Sequence, residues 1–391
     1  MEINTAELVF WAVVLSRLFV PLLIPRFPLP AIIACLVIDA VDQTVFQAIA
    51  PDADLTGYQS YDKALDIYYL VIAYIATLRN WTNQFAVSIA RFLIFWRLVG
   101  VVFFELGVPL PPVLEEILGE RGWLFIFPNV FEYFFIFFEA VRVLWDPRRM
   151  SRGLLLGAAA FIWIFIKLPQ EWWLHIAQND FTDFMKEDVF GVSVTTSWAT
   201  AIGENLWFVG LMAVVGVGVG LREISRRAPA ADWSFNMDVD KTIGRAQSAA
   251  GSVERPAVVS WYMFEKIALV SMVTIIFAQV LPGNDTDLLG TVVAVSFVIV
   301  VNSFVGFWFA RRGRSWATTA GEFAMMAFVN IVSALVFIAL SRNADEPLNE
   351  AATLFFVLLL TLIVTMFDRY HRSIPQVSVG PRSVQKSAAT S

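Results

Sequence analysis

Apolar runs of seventeen or more residues recur along the whole chain, separated by short polar segments. They cover about 7–23, 28–49, 62–78, 84–106, 122–145, 153–175, 204–222, 258–281, 288–310, 319–340 and 350–367. Each is long enough to cross a hydrocarbon core of about 30 Å as an α-helix. The pattern predicts an all-α, polytopic helical membrane protein with eleven transmembrane helices.

The connecting segments alternate in charge. Arg26, Arg79, then Arg148, Arg149 and Arg152, then Arg222, Arg226 and Arg227 follow the odd-numbered spans, and Arg311, Arg312, Arg314, Arg369 and Arg372 continue the series. The intervening loops are acidic, carrying Asp52 and Asp54, Glu115, Glu116 and Glu120, and Asp180, Asp183, Glu187 and Asp188. Basic residues near span ends favour the cytoplasmic side. The alternation therefore predicts an outside N-terminus and a cytoplasmic C-terminus in the cell inner (plasma) membrane.

Composition agrees with this class. Of the 391 residues, 58% are hydrophobic and 16% charged, against about 25% charged in typical soluble domains. Cys35 is the single cysteine and there are two histidines, which excludes an internal disulfide and a His/Cys-rich zinc or iron–sulfur site. The opening MEINTAE has no basic residue, so the first span reads as retained rather than as a cleaved signal. Composition shifts divide the chain into a seven-span block (1–222), a Pro-, Gly- and Ala-containing cytoplasmic linker (223–257), a four-span block (258–367) and a polar tail (368–391). Within 176–203, Phe181, Phe184, Met185 and Val189 fall near helical spacing and predict a short surface helix.

Against this background a few polar positions stand out. Asp39, Asp42 and Gln43 are spaced i, i+3, i+4 and share one face of the second span. Asp62, Asp66 and Tyr69 are spaced i, i+4, i+7 on the third. On the predicted orientation both sets lie in the outer half of the membrane, on consecutive antiparallel helices, so the four carboxylates converge on one outward-facing pocket. Four close carboxylates repel unless cations, bases or protons intervene. Arg97 of the fourth span and Lys167 of the sixth are the expected counter-charges. Arg17, Arg91 and Arg142 are expected to snorkel to the cytoplasmic surface. Glu132 lies near mid-membrane on the fifth span. Lys167, Glu171 and His175 are spaced by four on the sixth, where Lys167 and Glu171 could pair along the helix and Pro169 interrupts the ladder. Glu265 and Lys266, being adjacent, point about 100° apart, so one is expected to face the bundle and the other to snorkel.

Ionisable residues inside a membrane mark pathways, relays or sites. Asp39, Asp42, Gln43, Asp62, Asp66, Tyr69, Arg97, Glu132, Lys167, Glu171 and His175 form the candidate pocket. The first expectation is an ion- or proton-coupled solute transporter, whose partners are membrane lipid, a proton and a small solute; no nucleic acid is expected. The alternative is a membrane enzyme on a lipid-linked diphosphate, with Asp39, Asp42, Asp62 and Asp66 holding a divalent cation through oxygen ligands. Over residues 39–42 and 62–66 the acidic spacing resembles that of the membrane prenyltransferases. The Asn before that family's first motif is absent and its motifs are cytoplasmic, so the chain is not assigned to it. A third expectation is a scaffold subunit of an envelope complex, with the charges joining helices.

Overall fold

The computed structural model describes residues 5–49, 58–144, 150–177, 179, 181–211, 214, 215, 218, 261–280, 321, 324, 325, 327–332 and 350–370. The expected linker, all but the first three residues of the tail, the span at 288–310 and most of that at 319–340 lie outside them. The described residues are helical and include no strand. Helix α1 (Thr5–Phe19) tightens into a 3₁₀ turn at Val20–Leu23 and is followed by α2 (Pro28–Ile49) and α3 (Tyr58–Asn80). A three-residue turn leads into α4 (Gln84–Glu105), where the Asn83 side chain accepts from the Phe85 and Ala86 amides and so satisfies two orphan donors. Then come α5 (Pro112–Leu118), α6 (Gly122–Ile126), α7 (Val130–Leu144) and α8 (Arg152–Ile176). Helix α9 (Phe181–Phe184) runs on as a π turn (Met185–Val189), and α10 (Trp198–Glu204), α11 (Trp261–Val280) and α12 (Glu350–Tyr370) complete the series.

Three helical segments among the described residues are long and apolar enough to cross a membrane: Gln84–Glu105, Gly122–Val143 and Arg152–Ile176. Helix α1 alone has 15 residues, short of the roughly 20 a span needs, and the 3₁₀ turn extends it. Helix α3 carries Asp62, Lys63, Asp66 and Arg79, of which Arg79 is buried and the other three are partly exposed near its start.

Two predicted spans are irregular. The one at 122–145 breaks between α6 and α7 at Phe127–Asn129, because a proline disfavours helical geometry in the residue before it and here pushes Phe127 to φ −113°, ψ 65° ahead of Pro128. Helix α8 holds two π stretches, Ile162–Lys167 and Trp172–Ile176, on either side of the turn containing Pro169. A proline removes one ladder donor and crowds the preceding turn, and widening to i→i+5 relieves both.

The core is built around α3. From Ala64 to Leu78 its apolar side chains are buried on every face, the signature of a helix enclosed by others. It touches α1, α2, α4 and α7 and also α11 and α12 from the far end of the sequence. At the α6–α7 break the chain presses on α4: a Cβ placed on Gly100 would lie 2.2 Å from the Phe127 Cβ. Only glycine permits that approach, and it puts the broken segment's carbonyls within reach of Arg97.

Candidate functional site

Helices α1, α2 and α3 meet at Arg17. Its Nη2 donates to Asp39 Oδ1 (2.6 Å) and its Nη1 to Asp42 Oδ2 (2.5 Å). The same two nitrogens also contact Asp62 Oδ1 and Asp66 Oδ1. Tyr58, at the start of α3, donates its hydroxyl to Asp42 and lies 3.2 Å from Arg17 Nη1. One guanidinium thus serves four carboxylates, the multidentate geometry for which its planar fork of donors is suited. Arg17 is 5% exposed, so it does not snorkel as expected; a carboxylate on each of two neighbouring helices holds it inside the bundle. The cluster is closed on one side and open on the other: the Asp42 side chain is 6% exposed, whereas those of Asp39, Asp62 and Asp66 are 33%, 32% and 41% exposed.

The expected counter-charges lie elsewhere. Arg97 donates Nη1 to the Phe127 carbonyl (3.1 Å), at the break between α6 and α7. Those carbonyls have lost their helical donors and take the guanidinium instead. Lys167 faces Glu132 of α7 (Nζ to Oε2, 3.8 Å), donates to Gln170 (3.1 Å) and sits 4.1 Å from the Tyr133 ring centroid. Glu171 accepts from the Asn129 backbone amide (3.1 Å) and meets His175 Nε2 at 2.9 Å. The break in α7 leaves that amide free at a helix start, where a carboxylate is favoured. Among the described contacts, Lys167 and Glu171 therefore each close on α7 rather than on each other.

Glu132 gathers the second group. It accepts from the Tyr69 hydroxyl and from Asn129 Nδ2 (3.1 Å). Tyr69 thus stands on the helix of Asp62 and Asp66 but bonds to α7. A small cavity is lined by Arg17 of the first group and Tyr69 of the second, together with Cys35 and Leu65. Asp39 is within electrostatic reach of both Glu132 and Lys167. Gln43 is on α2, but its side chain lies outside the described residues.

Sequence reasoning missed Arg17, Tyr58 and Asn129. Tyr58 stands four residues before Asp62, a spacing that places it over the same face. Nothing local marks Arg17. Two further ion pairs knit the bundle: Arg91 Nε meets Glu265 at 3.0 Å, with Tyr74 donating to the same carboxylate, and Arg142 meets Glu139 at 2.7 Å, with Trp81 Nε1 donating at 2.6 Å. Arg91 and Arg142 are partly exposed, at 27% and 22% of their side chains, while each pairs with a carboxylate; Glu265 and Lys266 are both buried.

The acids were also candidates for a divalent cation. Ligand oxygens of Asp39, Asp42 and Asp62 lie within 4.8 Å of one another, as chelation requires. Arg17, however, contacts a carboxylate oxygen on each of those residues, so a cation there has to displace a buried guanidinium. The residues present do not fit a resident metal.

No protein family, no curated protein and no solved structure matches this chain.

Proposed function

We propose that the chain is an inner-membrane transporter of eleven spans, N-terminus outside and C-terminus cytoplasmic, that couples solute movement to protons at the Arg17 cluster. The observation that carries this is one buried arginine shared by four aspartates of which three are partly exposed. Fully ionised, the five side chains sum to three negative charges, which a low-dielectric site resists. Protons restore the balance. Asp66 and Asp39 both contact Arg17 Nη2, so two carboxyls crowd one nitrogen, where a proton on either relieves their repulsion. Loading or losing that proton changes how tightly Arg17 clasps α2 against α3. A charge-dependent clasp between helices is the two-state element that coupling needs.

The enzyme alternative is weaker on this geometry. A diphosphate needs a bridging cation, and the cation position is taken by Arg17. The scaffold alternative has one observation in its favour, since the cluster joins three helices and would hold them even without titrating.

The test is proton uptake into proteoliposomes under an imposed potassium diffusion potential, read with an internal pH dye. Uptake above that of empty vesicles, abolished by Asp66→Asn or Asp39→Asn, is the expected result. Uptake equal to empty vesicles, or unchanged in both variants, sinks the proposal; correct folding with no uptake then favours the scaffold.

A further inference from the structure

Five groups outside the Arg17 cluster form a line from α3 to the C-terminal end of α8. The Tyr69 hydroxyl bonds Glu132; Glu132 lies against Lys167; Glu171 bonds His175. Two gaps interrupt the line, and each coincides with a separate observation. At the first, Tyr69 stands three residues after Asp66 on α3, within electrostatic reach of Asp66 and Asp39, and borders a small cavity together with Arg17. Between Glu132 and Glu171 stands Asn129, which is 8% exposed, bonds Glu132 through Nδ2 and Glu171 through its backbone amide, and whose Oδ1 finds no hydrogen-bond partner among the described residues. A buried amide oxygen with no partner is costly, and a bridging water that needs several polar neighbours fits such a place. Arg97 Nε and His175 Nδ1, both close to Glu171 along this line, are likewise buried with no partner among the described residues.

We infer that this line is the route by which protons reach the Arg17 cluster, with His175 as its outer port and Tyr69 as its last protein step. This rests on the proton-coupling role proposed above. Opening of the buried Nδ1 of His175, whose side chain is 19% exposed, lets a proton bind there as the Nε2 proton passes to Glu171. Water held on Asn129 Oδ1 passes one proton on to Glu132. Tyr69 takes that proton on its oxygen as its own hydroxyl proton leaves toward Asp66 or Asp39, both within its electrostatic reach. Every group gives one proton for each it takes, so the line moves a single proton and returns to its starting state once Tyr69 turns back. The Lys167 ammonium faces Glu132, and its positive charge offsets the repulsion between the carboxylates of Glu132 and Glu171.

The charged and titratable groups facing the line come from every helix packed on it. They are Arg17 from α1, Cys35 and Asp39 from α2, and Asp66 from α3; α4 adds Arg97, α7 adds Tyr133 and α8 adds Lys167. Lys167 and Arg97 offset Glu132 and Glu171, so the line is close to charge-balanced while the cluster it feeds is not.

The same proteoliposome assay tests the route. Tyr69→Phe keeps the ring and its packing, and Glu132→Gln keeps the shape of the acid. Each is expected to slow proton uptake roughly tenfold or more, with the detergent unfolding midpoint close to that of the parent for Tyr69→Phe. His175→Ala is expected to slow uptake as well, and external imidazole is expected to restore it, a rescue that a purely structural histidine does not show. Full-rate uptake in both Tyr69→Phe and Glu132→Gln overturns the route and leaves the aspartates' coupling role standing. Loss in His175→Ala with no imidazole rescue overturns the port. Full-rate uptake in Asp66→Asn overturns the coupling role and the route together.

Discussion

The Arg17 cluster and the Glu132–Lys167–Glu171–His175 line solve the problem of charge in a membrane in opposite ways. At Arg17 one base faces four acids, and three of those acids are partly exposed. Along the line, Lys167 and Arg97 stand against Glu132 and Glu171, and both glutamates and the lysine are at most 4% exposed. A balanced, enclosed set meets its charges within the bundle. An unbalanced, open set leaves net negative charge facing its surroundings unless some of its acids are protonated. The difference is between charges answered inside the protein and charges left for a proton or a cation to answer.

That contrast can be broken by mutation, and the largest effect belongs to Arg17. Arg17→Gln leaves four neighbouring carboxylates without their shared base and is expected to destabilise the protein by about 3–5 kcal/mol, measured by denaturant unfolding in detergent. A loss under 1 kcal/mol would show that the acids are neutral without it.

On the line, Lys167→Met is expected to cost roughly 3 kcal/mol, because it strands Glu132 in the core. Adding Glu132→Gln removes the stranded charge, so the double variant is expected to be more stable than Lys167→Met by about 1–2 kcal/mol. Simple additivity of the two losses would mean that the pair does not interact.

Gly100→Ala drives a methyl into Phe127 and is expected to destabilise by about 1–3 kcal/mol. Because Phe127 supplies the carbonyl that holds Arg97, the same change should also slow proton uptake. Normal uptake at reduced stability would separate the α6–α7 break from the line. Tyr58→Phe removes one hydroxyl from Asp42 while leaving Arg17 in place, with an expected cost of about 1 kcal/mol by the same unfolding measurement. Smallest is Lys63→Ala, which opens an ion pair to Glu105 on a side chain 47% exposed. An effect below about 0.5 kcal/mol is expected, and a larger one would move that end of α3 into the bundle.

Parts of this were legible in the sequence. Helix α2 at 28–49 and α4 near 84–106 have the predicted bounds within a residue, because each begins at a helix-starting signal, Pro28 in one and the Asn83 cap in the other. The short helix at 181–189 forms where apolar spacing placed it. Helix α5 was hidden in what read as an acidic loop, since seven residues give periodicity too little length to register. The break at Phe127–Asn129 had a visible cause in Pro128, but a hydrophobic window averages across it. At the site, the positions of the aspartates could be read and their partner could not. Arg17 lies 22 residues from Asp39 and 49 from Asp66, and no local spacing links them. Arg97 was favoured because it lies at mid-span; the broken helix beside it, created by Pro128 and admitted by Gly100, took its hydrogen bonds instead.

The sequence by itself determined the helical class, the membrane character carried by its apolar segments, and the placing of Asp39 with Asp42 and of Asp62 with Asp66 on shared helix faces. Each follows from local composition and the 3.6-residue period, which need no knowledge of neighbours. Only the tertiary structure decided which base answers those acids, that Tyr69 turns from its own helix's aspartates to Glu132, and that the sixth predicted span closes on the fifth. Those outcomes depend on which helix faces come together and on where the backbone leaves a donor or carbonyl unpaired. The period of a single helix carries no record of either.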